Sequence, residues 1–90
     1  MDHRECLCVL ISRCVVLIGY HHQRAPAGAG RAEMMFELGW LAADARRWGL
    51  RPEVVAAGVL AELGQEYGCP IASALILDME EVFGLVGAMA

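Results

Sequence analysis

Between two stretches of helical periodicity the chain carries Gly49-Leu50-Arg51-Pro52, and this turn constrains the fold more than any other stretch. Glycine enters the left-handed conformation that ends a helix, and an apolar residue commonly follows it. Proline suits the first position of the next helix, here with Glu53 behind it. A connection this short makes the two flanking helices antiparallel neighbours.

The helix before the turn is expected over Ala32 to Trp48. Met34, Leu38, Leu41, Ala45 and Trp48 recur at spacings of three and four, which marks one buried face. Glu33 and Glu37 in its first turns and Arg46 and Arg47 in its last suit the helix dipole. The helix after the turn is expected over Pro52 to Tyr67, with an apolar stripe of Val55, Ala56, Val59, Leu60, Leu63 and Tyr67. Gly58 interrupts that stripe, at a cost in helix propensity or to let another helix come close. Gly68 stops it. A third helix then starts at Cys69-Pro70, with Ile71, Leu75, Met79, Val82 and Val86 inside and Glu80 and Glu81 outside. The expected fold is mainly α: an antiparallel helical hairpin plus a third helix, spanning residues 32–90.

Residues 1–31 read as a separate apolar leader and a Pro/Gly/Ala linker. Cys6 to Tyr20 is an apolar run broken by Ser12 and Arg13. It is short for a membrane span of roughly 20 apolar residues, and Arg13 adds about 2.5–3.5 kcal/mol on insertion scales. Ala25-Pro26-Ala27 and Ala27-Gly28-Ala29 have the small-x-small form of a signal cleavage site. The acidic start at Asp2 and Glu5 and the polar His21-His22-Gln23-Arg24 speak against one. The β-branched Val9, Ile11, Val15, Val16 and Ile18 point to a strand, which would need a mate across its edges. A disordered leader, or a working start at Met34 or Met35, are the other expectations for this segment.

With 58% hydrophobic and 20% charged residues, 90 residues make one domain with apolar surface to spare, which goes to a partner or a second copy. The net charge of −4 is uneven. Arg4, Arg13 and Arg24 against Asp2 and Glu5 make residues 1–30 +1. Arg31, Arg46, Arg47 and Arg51 against nine acids make residues 31–90 −5. An acidic body repels phosphate backbones and suits a basic protein partner.

Phe36, Trp40 and Ala43 fall opposite the first helix's buried stripe. Either the third helix or the leader covers them, or the two aromatics form an exposed anchor for a partner. Two carboxylate pairs, Glu33/Glu37 and Glu62/Glu66, come to the same end of an antiparallel hairpin. A solvated face is the ordinary reading of such pairs; the functional one is an acidic patch for an Arg/Lys-rich surface. A di-iron bundle would also need Glu-x-x-His, and the helical body holds no histidine. Cys6, Cys8 and Cys14 have the chemistry for a soft metal but not the spacing, so no metal or cofactor is expected. Cys69 stands at a helix start without a base beyond Glu66, Ser73 lacks a nucleophile elbow, and Gly28-x-Gly30 lacks a phosphate loop's third glycine. No enzyme is expected. The cysteine spacing is not a secreted disulfide framework, so reduced thiols and a cytoplasmic setting follow.

A strand followed by two helices joined through Gly49-Leu50-Arg51-Pro52-Glu53 loosely resembles the helix-turn-helix half of ribbon-helix-helix repressors. That resemblance implies a dimeric DNA-binding or antitoxin-like regulator whose paired strands present Arg13. The chain departs from the family in its long Ile18–Ala32 connection, its acidic body and its lack of an alternating basic strand face. The leading expectation is a small acidic non-enzymatic interaction or oligomerisation module of adaptor or inhibitor type. Its partner is itself or a protein with a basic or apolar surface. Phe36, Trp40, Glu33, Glu37, Glu62 and Glu66 are its binding residues. A membrane- or metal-associated protein using residues 6–20 is the remaining class.

Overall fold

The structure, a computed structural model, describes residues 2–24 and 30–85. Among them are five helices and no strand: α1 (His3–Arg24), α2 (Arg31–Arg47), α3 (Pro52–Tyr67), α4 (Cys69–Ala74) and α5 (Ile76–Phe83).

The segment expected to be a strand or a disordered leader is α1, the longest helix of the protein. Asp2 starts it: its carboxylate accepts the Glu5 backbone N–H at 2.8 Å, and its carbonyl accepts the Cys6 N–H. An acidic cap three residues before a glutamate is a helix-start signature. Leu10, Cys14, Val15 and Ile18 then recur at helical spacing and are buried. They share one core with Met34, Leu38, Ala42 and Ala45 of α2, Val55, Ala56, Val59 and Leu63 of α3, and Met79 and Phe83 of α5. Helix α1 is also the one helix among the described residues that is long and apolar enough to cross a membrane, by length and composition.

Two contacts fix how α1 lies on α3. Ile11 sits over Gly58, and the Tyr67 hydroxyl sits over Gly19. Both positions advance together along the two chains, so α1 and α3 run parallel. Helix α2 runs back between them in sequence: its second turn meets the last turn of α1, where His21 Nε2 lies 3.2 Å from Glu37 Oε2. The order is up, down, up. The hairpin expected to be a close pair is instead spread around α1, which packs on both of its helices.

The turn between α2 and α3 has the expected chemistry. Gly49 is left-handed at φ 68°, the Leu50 N–H returns to the Ala45 carbonyl at 2.9 Å, and Leu50 is buried. This is the Schellman arrangement. Pro52 opens α3, and Arg51 bonds Glu53 beside it at 2.9 Å. The Arg51 contact and a backbone hydrogen bond hold the Glu53 carboxyl below its ordinary range, the backbone bond being the larger cause.

The third expected helix is broken in two. At Leu75 the backbone N–H bonds Ala72, three residues back, and the helix restarts from the Leu75 carbonyl to Met79. The break turns α5 onto α2 and α3. Asp78 and Glu80 are then buried beside Met79 and Phe83, whereas Glu80 was expected outside. Arg31 at the start of α2 donates to the Asp78 carboxylate, which ties α5 down and raises the Arg31 pKa further. Val86 of the expected stripe, and most of the expected linker, lie outside the described residues.

The glycine contacts make a prediction about order of stability. A Cβ at Gly58 would stand 2.4 Å from Ile11 Cδ1, the tip of a flexible side chain. In Gly58→Ala, about 1 kcal/mol of helix propensity offsets a moved Ile11 rotamer costing about 0.5–1.5 kcal/mol. Gly58→Leu has no such escape and should lose about 1–3 kcal/mol or more from overpacking. Thermal unfolding of the three proteins should therefore place wild type and alanine together and leucine well below. A leucine variant as stable as the alanine one would show that α1 is not seated on α3 there.

Candidate interaction surfaces

Glu33, Phe36, Glu37 and Trp40 lie three, four and seven residues apart, so α2 carries them as one stripe. Among the described residues nothing of the leader or third-helix segment covers the aromatics: Phe36 is 68% and Trp40 62% exposed. Their rings meet edge to face with centroids 6.2 Å apart, an arrangement aromatic pairs favour. Gly39 between them has nothing within 4 Å of where a Cβ would be, which leaves the approach to Trp40 open. Glu37 is fastened to His21 of α1, and Glu33 is exposed one turn before. The surface is an aromatic pair with acids on its α1 side.

Glu62 and Glu66 stand elsewhere. They line a groove of about 590 Å³ between α1 and α3, with Cys8, Ile11, Val16, Tyr20 and Tyr67 among its other walls. Topology brings all four glutamates to one end of the bundle, where α1 and α3 finish and α2 begins. The last turns of α1 separate them, with His21 toward Glu37 on one side and the groove on the other. Tyr67 marks the groove's end, its hydroxyl over Gly19 and its ring at 6.0 Å from that of His22. The groove exists only once α1 packs on α3, so a sequence divided at residue 31 does not show it. The spacing of Cys8, Ser12, Val16 and Gly19, once read as helical, is the signal that could have found it.

The cysteine cluster does not assemble. Two residues apart on a helix is about 200° of rotation, so Cys6 and Cys8 point away from each other, where a strand would have put them on one face. Cys14 is buried, and burial pushes its thiol up to about 12. Among the described residues no three His, Cys, Asp or Glu side chains are placed to hold a metal ion. The paired strands that the repressor resemblance requires are likewise replaced by α1. Cys69 is exposed at the start of the six-residue α4, beside a shallow hollow formed with Leu60, Gly64 and Ile76.

Compared with known protein families, curated proteins and solved structures, the chain matches none.

Proposed function

We propose that this protein is a small acidic, non-enzymatic interaction module that docks a partner on the outer face of α2. The observation that carries this reading is the exposed Phe36–Trp40 pair, with Glu33 and Glu37 along its α1 side. A paired Trp and Phe present a large, stiff apolar area at small entropic cost, and such anchors dominate interface energetics. Glu33 beside them favours a partner with Lys or Arg at its rim. The four free thiols accord with a reducing, cytoplasmic setting.

A photo-crosslinking residue at position 40 tests this in the producing cell, beside one at Ala57, which is exposed on α3. Position 40 should capture one discrete partner, or a second copy, that position 57 does not. Trp40→Ala should weaken that complex by about 2 kcal/mol, about 30-fold in Kd, while the melting temperature stays near that of wild type. Equal capture at both positions, or a Trp40→Ala chain that unfolds, would return Phe36 and Trp40 to a structural role.

The length and hydropathy of α1 favour a second reading, a membrane-associated protein. Flotation with phospholipid vesicles decides it: a chain that stays at the bottom of the gradient removes that reading.

A further inference from the structure

We infer that the α1/α3 groove is a second docking surface, separate from the α2 face, and that it takes a basic amphipathic helix from a partner protein. Its α1 wall has an apolar centre between the polar Ser12 and Gln23: Val16 is 70% and Tyr20 52% exposed, with Ile11 and Val15 beside them. Along α1 its lining residues run from Cys8 to Gln23, about 22 Å at 1.5 Å per residue, and α3 lines it from Glu62 to Tyr67. Its charge is one-sided. Glu62 and Glu66 are exposed on its rim, and neither has an ion-pair partner among the described residues.

These two acids also occupy the end of α3 that a helix dipole makes negative, and the last turn of α3 contains no basic residue. Within the folded chain that placement is unfavourable; a Lys or Arg from outside reverses its sign. A second copy is the poorer occupant, since residues 31–90 carry a net of −5 and would meet like charge. The match is a helix with apolar residues at spacings of three and four, set over Val16 and Tyr20, and a basic edge over Glu62 and Glu66. It is the helix-in-groove mode of recognition.

The probe is a synthetic amphipathic Leu/Lys peptide of about 15 residues, a length set by the helical rise. Two controls of the same length have Glu in place of Lys, or the same residues in an order with no apolar face. Binding to the full chain is read by fluorescence anisotropy and by alkylation of Cys8, which lines the groove, against the exposed Cys69, which does not. The basic peptide should bind and slow alkylation of Cys8 but not of Cys69. Its affinity should fall about tenfold or more in Glu62→Gln/Glu66→Gln, and again between about 0.05 M and about 0.3 M salt. Val16→Asp should abolish binding, and Trp40→Ala should leave it unchanged.

Equal binding of either control peptide, binding without protection of Cys8, or loss on Trp40→Ala would overturn the proposal. So would a dimer of the wild-type chain that Val16→Asp dissolves, because the occupant would then be a second copy. Since Trp40→Ala and Val16→Asp report on different faces, failure here leaves the α2 reading standing, and the reverse.

Discussion

A chain that begins at Arg31 should not fold cooperatively. Removing α1 takes Leu10, Cys14, Val15 and Ile18 out of the shared core and opens the sides of α2 and α3 that α1 covers. Burying a side chain of this size contributes about 1.5–3 kcal/mol. Four of them approach the whole stability of a small domain, about 5–15 kcal/mol. What is left is a hairpin whose helices touch each other along a short seam, with α4 and α5 behind it. The shortened chain should show reduced helicity, strong binding of a hydrophobic dye and a broad thermal transition in place of a sharp one. A sharp transition in residues 31–90 would show that α1 is an attachment and that the core closes without it.

The second large effect is a loss of stability in alkali. Burial at Cys14 pushes its thiol from the ordinary 9.0 up to about 12, and desolvation of the thiolate is the cause. Below pH 9.0 folded and unfolded chains both keep the proton, and the stabilising side of the linkage is fully present. Between 9.0 and about 12 the unfolded chain gives the proton up and the folded chain keeps it, so stability falls as pH rises. At about 1.36 kcal/mol per pH unit, the window amounts to about 4 kcal/mol. Denaturant titrations at a series of pH values should show this slope in wild type. Cys14→Ala, starting from a lower plateau because of the cavity it leaves, should show a slope smaller by that amount. Parallel slopes would place the alkaline sensitivity in another group. Thiol labelling gives an independent check: Cys8 and Cys69 should react in the native state, and Cys14 only at the rate of unfolding.

What could be read from the sequence was what backbone chemistry punctuates. Gly49 and Pro52 mark the end of α2 and the start of α3, and the stripes of Leu38 and Ala45 and of Val55, Val59 and Leu63 point to the core. Helix α1 escaped because it is apolar on more than its buried face. Val9, Val16 and Tyr20 fill positions where a polar residue would have exposed the period, and the β-branched run imitates a strand. The Asp2-x-x-Glu5 start is a helix-cap signal that its plain acidity masks. The break at Leu75 has no glycine or proline to announce it, so Met79 looked like the continuation of one stripe and Glu80 like an outer residue. Burial of Asp78 beside an Arg31 that is far away in sequence belongs to tertiary packing, and no local pattern encodes it. The site residues divide the same way. Phe36 and Trp40 could be picked out as off-stripe aromatics, whereas the groove beside Glu62 and Glu66 needed the position of α1.

The parallel seating of α1 on α3 has a consequence for how the chain is made. The contacts that seat it join Ile11 to Gly58 and Gly19 to Tyr67, residues 47 and 48 positions apart. During synthesis α1 emerges first, and its permanent neighbour on that side does not exist until about 48 more residues have been added, roughly 2–10 s at about 5–20 residues per second. For that interval α1 has α2 but not α3 to pack on. Over that interval the face of α1 that α3 covers in the finished core stays open.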